Sequence, residues 1–365
     1  MESEQPGHSE PEARATGRAA RRKALVNMRD VRAAWELPAW ARGAITTAFP
    51  SDWEVVFVES QVDGRGDGSG VSAEAIEAMP GTEVYLGMGV PREIFMAAAA
   101  IDPPTLRWIH TGTAGVASLL YPELVESDVI LTNSAGIHAP AIAETVIGMM
   151  LHFARGFDHA AHARAEHRWD TSPFADRTDT VTEIAGSTVG ILGLGGIGRE
   201  VARRALALDM RVHATRRSGR PAPADIELFI GPDATHRLLE SADFVVVALP
   251  STQATRDLLD ATAISRMKKN AVLINVARGD VVDENALVDA LRAGHLRGAG
   301  LDVFRTEPLP PASPLWDLPN VLITPHVSAT TPRFWLREVE LIRENVARYL
   351  AGRGMRNVVD RKFGY

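Results

Sequence analysis

The 365-residue sequence contains no cysteine, which removes disulfide staples, thiolate nucleophiles and cysteine-ligated metals from consideration. That absence suits a reducing cytoplasm, the compartment expected here. Lysine is scarce as well. Four lysines stand against 35 arginines, a skew read as coding bias, so short arginine runs carry less functional weight than usual. Nor is positive charge in excess. The formal net charge of −7 argues against a general nucleic-acid binder, which needs a phosphate-neutralising surface. No uninterrupted apolar run approaches the roughly 20 residues that span a bilayer. Residues 1–22 are rich in Glu, Arg and Pro and lack the apolar core of a secretory signal. They are expected to form a disordered tail. The triplet Arg65-Gly66-Asp67 looks like an adhesion motif, but among glycines and aspartates it is expected to be a solvated turn.

What is present is a globular composition, 45% hydrophobic and 23% charged, with length enough for two domains that each bury a core. Short β-rich runs alternate with helical stretches. Residues 24–28, 54–58, 84–86, 107–110 and 129–132 read as strands. Helices are expected between them, at 72–79 and at 91–99 with Pro91 in the first helical position. A long apolar helix follows over 140–155. Then comes a polar stretch to about Ile184, holding His159, His162, His167 and Trp169, which makes a poor core and a good linker or oligomer contact. A second series has strands at 188–192, 211–215, 244–248, 271–276, 298–303 and 321–324. Helices lie at 197–208 and 284–293, and a final amphipathic one spans 332–351. Alternation of this kind predicts an α/β fold of two doubly wound parallel-sheet domains.

Gly193-Leu194-Gly195-Gly196-Ile197-Gly198 fits GxGxxG, directly after one strand and opening a helix. The glycines permit a tight turn, close approach of a pyrophosphate and close helix–strand packing. The helix N-terminus adds free N–H groups and the positive end of its dipole. A dinucleotide site is therefore expected. An NAD site would carry an Asp or Glu at the end of the next strand, about 20 residues on. Here that strand runs into Arg216-Arg217-Ser218 with no carboxylate. Two guanidiniums and a hydroxyl suit a 2′-phosphate, so NADP is favoured, with NAD possible.

Three further segments leave the carboxyl ends of successive strands: Asn275-Val276-Ala277-Arg278-Gly279, Asp302-Val303-Phe304-Arg305-Thr306-Glu307-Pro308 and Thr324-Pro325-His326-Val327-Ser328. That is the edge where open α/β sheets bind ligands. Arg278 can bond a carboxylate and an adjacent carbonyl in one planar contact. Hydride addition to such a carbonyl develops charge on its oxygen and calls for a proton donor, which His326 supplies. Glu307 would fix the imidazole's tautomer and favour its protonated form. Each residue alone also has a structural reading as a solvated loop residue; their joint occurrence beside a dinucleotide loop argues for the chemical one.

The segments GLGGIG, NVARGDVVDENAL, GLDVFRTEPLP and ITPHVSATT resemble the signature motifs of the D-isomer-specific 2-hydroxyacid dehydrogenase family, over most of the chain from about Ala24. The resemblance implies that Arg278 binds substrate, Glu307 partners the histidine and His326 is the acid/base. It assigns Asp302 to the nicotinamide carboxamide, and Ala277, Pro250 and Thr255 to the cofactor cleft. Thr113-Ala114-Gly115 resembles the loop whose N–H groups hold the substrate carboxylate, so Ala114 and Gly115 are substrate-binding candidates. The family often has an Asn-Ala-like pair where this chain has His138-Ala139, which puts substrate identity in question. The implied fold is a flavodoxin-like substrate domain, discontinuous over 23–150 plus 327–365, and a Rossmann NAD(P)-binding domain over 151–326. The implied function is hydride transfer between NAD(P)H and a short 2-keto acid such as glyoxylate or hydroxypyruvate, in a homodimer with no membrane or nucleic-acid partner. Two alternatives share the motifs: a nucleotide-sensing binding protein like the C-terminal-binding-protein corepressors, and a phosphoglycerate dehydrogenase, whose NAD-driven oxidation the missing carboxylate suits poorly. The loose spacing of His152, His159, His162 and His167 favours a polar surface, and no metal is expected.

Overall fold

Residues 21–63, 72–176, 181–217 and 222–361 are described by a computed structural model. Residues 1–20 of the tail expected over 1–22, the Arg65-Gly66-Asp67 turn and Ser218 lie outside the described residues. The first sheet holds β1 (Arg22–Asn27), β2 (Trp53–Phe57), β3 (Thr82–Gly87), β4 (Trp108–Thr111) and β5 (Ile130–Asn133). The second holds β6 (Thr188–Leu192), β7 (Arg211–Thr215), β8 (Ile226–Phe229), β9 (Phe244–Val247), β10 (Val272–Asn275), β11 (Gly298–Leu301) and β12 (Val321–Ile323). All pairings between these strands are parallel. Strands such as Phe244–Val247 and Val272–Asn275 are buried at every position, as expected for sheets covered by helices on both faces.

Sheet order sets where ligands can sit. The first runs β2-β1-β3-β4-β5 and the second β12-β11-β10-β9-β6-β7-β8, which are the flavodoxin-like and Rossmann orders. Chain direction across the sheet reverses between β1 and β3 in one and between β6 and β9 in the other. Such reversals open a crevice at the carboxyl ends of the strands.

The apolar helix Ala139–Ala154 crosses between the sheets. It buries Ile142, Val146, Met150 and Phe153 with Val189, Ile191 and Val201 of the second. The last helix, Phe334–Leu350, returns the chain to the first sheet. Phe334, Val339, Ile342 and Val346 share a core with Ala24, Val26, Val84 and Trp108. The chain then runs along β5, bridging Thr132 to Val358.

Most boundaries fall within two residues of expectation. Arg22 already belongs to β1, so the sheet starts inside the expected tail. Pro91 is the N-cap of its helix and not its first residue. Among the elements not anticipated are an edge strand and a short helix. The edge strand β8 is a four-residue run whose ends alone are buried, and the helix Ala39–Thr46 buries only Ala41 and Ile45.

Candidate active site

The glycine loop leaves β6 at the crevice. Gly193 has φ +97°, and a Cβ there would stand 2.8 Å from the Ala248 carbonyl oxygen beyond β9. At Gly198 a Cβ would meet the Gly193 carbonyl oxygen at 2.2 Å, so neither position accepts a side chain. Gly195 has nothing within 4 Å of its ideal Cβ. It is the N-cap of the helix Gly196–Leu206, and no side chain caps that helix. The first-turn amides, Ile197 among them, are thus left for a ligand. The loop is tied to β7 by Leu194 N donating to Thr215 O (3.0 Å). Arg216 donates to Leu194 O at 3.3 Å and so lies against the loop, followed by exposed Arg217. No carboxylate occupies this turn among the described residues. Across the crevice Thr255 Oγ1 donates to Pro250 O at 2.7 Å, closing the loop that follows β9. Open space over Gly195, an uncapped helix start and guanidinium groups beside it fit a phosphate-bearing dinucleotide.

Register brings the three polar residues together. Asn275, Leu301 and Ile323 lie side by side at the ends of β10, β11 and β12, and Arg278, Glu307 and His326 follow within six residues of them. Gly279 lets two of these loops meet, since a Cβ there would fall 1.9 Å from the Phe304 carbonyl carbon. Ala277 is buried, and its N–H donates to Asn275 Oδ1 at 3.1 Å. Glu307 Oε2 lies 2.7 Å from His326 Nδ1, while its Oε1 accepts from Phe304 N at 2.9 Å. Burial pushes the Glu307 carboxyl up. The hydrogen bonds from His326 and Phe304 N, with the charges of His326 and Arg278, outweigh it and hold the group below its ordinary value. With Nδ1 donating to Glu307, Nε2 is the ring atom left for chemistry. The imidazole is 47% exposed, enough for a substrate to reach.

His326 has φ +53°, a left-handed conformation that a non-glycine residue adopts only when its surroundings impose it. Here they do. His326 N donates to Asp302 O at 2.9 Å. The fully buried Asp302 carboxylate accepts from Thr324 Oγ1 (2.6 Å), Val327 N (2.9 Å) and Ser328 N (3.1 Å). The residue that resemblance ties to the carboxamide is therefore also the anchor of the histidine loop.

From the other side of the cleft, the loop after β4 faces Arg278. A Cβ on Gly115 would stand 2.7 Å from Arg278 Nη2. The amides of Ala114 and Gly115 donate to no protein acceptor among the described residues. The sheets also approach at Gly196, whose ideal Cβ lies 3.4 Å from Gly136 Cα. His138 stacks on Phe334 (centroids 5.4 Å, 15°) and meets Trp35 edge-on at 5.4 Å. Burial lowers its pKa, opposed in part by Glu338 and the Ala329 backbone.

Sequence reading did not single out the polar groups behind this loop, Ser134, His110 and Glu338. The available signal was a glutamate on the apolar face of the last helix, four residues after Phe334. Among the described residues no three His, Cys, Asp or Glu side chains group so as to hold a metal, and His162 pairs with Glu166 at 3.2 Å. No helix among the described residues is long and apolar enough to cross a membrane.

Comparison with known proteins agrees with this architecture. The family described as D-isomer specific 2-hydroxyacid dehydrogenase, NAD binding domain, matches residues 147–328. A glyoxylate reductase of Thermofilum pendens is 35% identical over 68% of this chain and 73% of that protein. The crystal structure of a D-isomer specific 2-hydroxyacid dehydrogenase from Xanthobacter autotrophicus Py2, in complex with NADPH and MES, is 32% identical. It superposes with a TM-score of 0.74 over 94% of this chain and 99% of that one. An NADPH-dependent glyoxylate/hydroxypyruvate reductase from Sinorhizobium meliloti, in complex with NADP and sulfate, is 28% identical with a TM-score of 0.74, covering 94% of this chain and all (100%) of that one.

Proposed function

The chain belongs to the D-isomer-specific 2-hydroxyacid dehydrogenase family of NAD(P)-dependent oxidoreductases, and from that premise we propose that it reduces a short 2-keto acid with NADPH. The observation that carries this reading is the 2.7 Å Glu307–His326 pair at the strand ends beside Arg278, across the cleft from the open Ala114 and Gly115 amides.

The substrate carboxylate is received by the Ala114 and Gly115 amides and by the Arg278 guanidinium, whose planar fork also reaches the adjacent carbonyl oxygen. When bound, the reduced nicotinamide supplies the hydride to the carbonyl carbon. His326 Nε2 gives a proton to the oxygen as negative charge develops there, and Glu307 holds Nδ1–H and stabilises the imidazolium. In the reverse direction Nε2 takes the hydroxyl proton. Gly193, Gly195, Gly196, Ile197 and Gly198 receive the pyrophosphate, and Arg216, Arg217 and Ser218 the 2′-phosphate. Pro250, Thr255, Ala277 and Asp302 line the remaining cofactor cleft. Supporting NADPH over NADH are the missing carboxylate after β7 and Arg216 lying against the glycine loop. Glyoxylate and hydroxypyruvate are the leading substrates.

We assign 23–150 plus 327–365 to the substrate domain and 151–326 to the cofactor domain, with the crossing helix Ala139–Ala154 packed on the cofactor sheet. The protein is a cytoplasmic homodimer. We assign the contact to the polar arm that follows the crossing helix, where Trp169 is 97% exposed and Phe157 54%, two large apolar side chains that pairing would cover.

Transfer from C4-deuterated NADPH to glyoxylate tests the reaction directly. Deuterium on C2 of the glycolate formed is the expected result. Tight dinucleotide binding with no labelled hydroxy acid from glyoxylate or hydroxypyruvate would overturn it in favour of a nucleotide sensor.

A further inference from the structure

Behind the substrate loop lies a buried chain of polar groups that hydride transfer does not use. Glu338 sits on the return helix between Phe334, Trp335 and Ile342 and is fully buried. A carboxylate in such a place is costly unless both oxygens find partners. They do: Oε1 is 2.8 Å from His110 Nε2, and Oε2 accepts from Ser134 Oγ at 2.8 Å. His110 Nδ1 lies 2.9 Å from Thr132 Oγ1, which accepts from Trp108 Nε1 at 2.9 Å. One assignment, with His110 neutral, satisfies the run from Trp108 to Glu338. Trp108 donates to Thr132, Thr132 donates to His110 Nδ1, and His110 donates through Nε2 to Glu338. A fully satisfied buried network of this kind specifies a single geometry.

That geometry includes the substrate loop. Gly87, Thr111 and Asn133 end β3, β4 and β5 in register, so the chain after each turns over the same spot. An ideal Cβ on Gly112 would lie 3.7 Å from Glu338 Oε1, which sets the carboxylate directly behind that residue. Ser134 carries the connection forward. Its Oγ is also 3.0 Å from Thr111 O, and its N–H donates to Thr113 O at 3.1 Å. Asn133 Nδ2 donates to Ala114 O at 2.7 Å from the same strand end. The backbone on both sides of Gly112 is thereby fixed immediately before the Ala114 and Gly115 amides. Glu338 lies behind the loop and not in the cleft, so its contribution comes through the geometry of that loop.

We propose that Glu338 is a positioning residue for the reaction: through Ser134 and His110 it holds the Thr111–Gly115 backbone so that the Ala114 and Gly115 amides converge on the 2-keto acid carboxylate. This rests on the site reading above. It implies that a side chain with the same hydrogen-bonding shape and no charge can replace it. Glutamine qualifies, because its oxygen can accept from His110 while its amide donates to Ser134, which then donates to Thr111 O.

The test is steady-state kinetics of the full-length wild type, Glu338→Ala, Glu338→Gln and Ser134→Ala with NADPH, glyoxylate and the uncharged ester methyl glyoxylate. Glu338→Ala is expected to raise the glyoxylate KM about tenfold or more, with kcat and the NADPH KM within about threefold. A purely structural loss would lower the active fraction, hence apparent kcat, and leave KM in place. Glu338→Gln is expected to keep the glyoxylate KM within about threefold of wild type, and the ester to lose less than about threefold in kcat/KM in either variant. A glyoxylate KM unchanged in Glu338→Ala, equal rises in the Ala and Gln variants, or equal losses for acid and ester would each overturn the proposal. Should Glu338→Ala fail to fold, Ser134→Ala decides: a raised glyoxylate KM supports the proposal and an unchanged one overturns it. Absence of wild-type turnover on 2-keto acids would overturn the site reading itself, and this proposal with it.

Discussion

Glu307 is held below its ordinary carboxylate value against the upward push of burial, chiefly by its hydrogen bond from His326. A depressed folded-state value means that the ionised pair stabilises the protein above the unfolded pKa, near 4.5, and that this stability is lost as pH falls through the lower folded value. Glu307 is 35% exposed, so solvent screens the pair and the contribution is modest. Urea unfolding of wild type and Glu307→Gln is expected to show a stability gap at about pH 6–7 that narrows as pH falls below about 4.5 and is lost once the lower folded value is passed. In kinetics the same variant is expected to lose about 10²-fold or more in kcat, since the imidazole loses both its orientation and its counter-charge. The arginines after β7 are assayed separately. Arg216→Ala/Arg217→Ala is expected to raise the NADPH KM about tenfold or more and the NADH KM less than about threefold. Equal effects on both cofactors would remove the 2′-phosphate assignment. At this scale the strand-end Arg278, Glu307 and His326 were legible because each follows a recognisable strand by a short interval. His110 and Glu338 were not: they are 228 positions apart and hydrogen-bonded only through the fold.

Elements meet here at glycines whose replacement has a geometric consequence. Gly279→Ala would put a methyl group 1.9 Å from the Phe304 carbonyl carbon. The Arg278 turn would then have to shift away from the Glu307 loop, at a cost of about 1–3 kcal/mol in stability. Gly198→Ala would collide with the Gly193 carbonyl oxygen at 2.2 Å, opening the glycine loop. Gly279→Ala is expected to lose keto acid turnover while binding NADPH normally, and Gly198→Ala to lose NADPH affinity by about tenfold or more. Calorimetric titration with NADPH separates the two; identical binding losses in both would contradict the assignment of each glycine to its own loop. Parallel strands were readable as apolar runs because helices bury both of their faces. The edge strand β8 escaped because Ile226-Glu227-Leu228-Phe229 is short and only its ends are buried. Pro91 was misplaced by one position because proline serves equally well just outside a helix and just inside it.

Across the whole molecule, two sheets of different strand order face one cleft, with Gly136 against Gly196 and Gly115 against Arg278. The chain passes between them twice, through Ala139–Ala154 and before Phe334. Stacking of His138 on Phe334, with Arg337 donating to Ile137 O at 3.1 Å, fastens the two crossings together. The order of elements made both sheets legible from sequence. How the last helix contributes to the substrate loop was not, since amphipathicity says which face is buried and not what a buried carboxylate touches. Light scattering is expected to give the mass of two chains, and Trp169→Asp to shift it toward one. A wild-type monomer at working concentration would rule the dimer out. The claim on which everything else depends is that Arg278, Glu307 and His326 form a keto acid reductase site. Steady-state oxidation of NADPH and NADH against a panel of 2-keto acids, with Arg278→Ala and His326→Ala run beside wild type, tests it most directly. NADPH-dependent turnover of glyoxylate or hydroxypyruvate is expected, reduced about 10³-fold in kcat/KM by Arg278→Ala and about 10²–10⁴-fold in kcat by His326→Ala. Turnover that survives in either variant, or cofactor binding with no turnover on any keto acid, would contradict it.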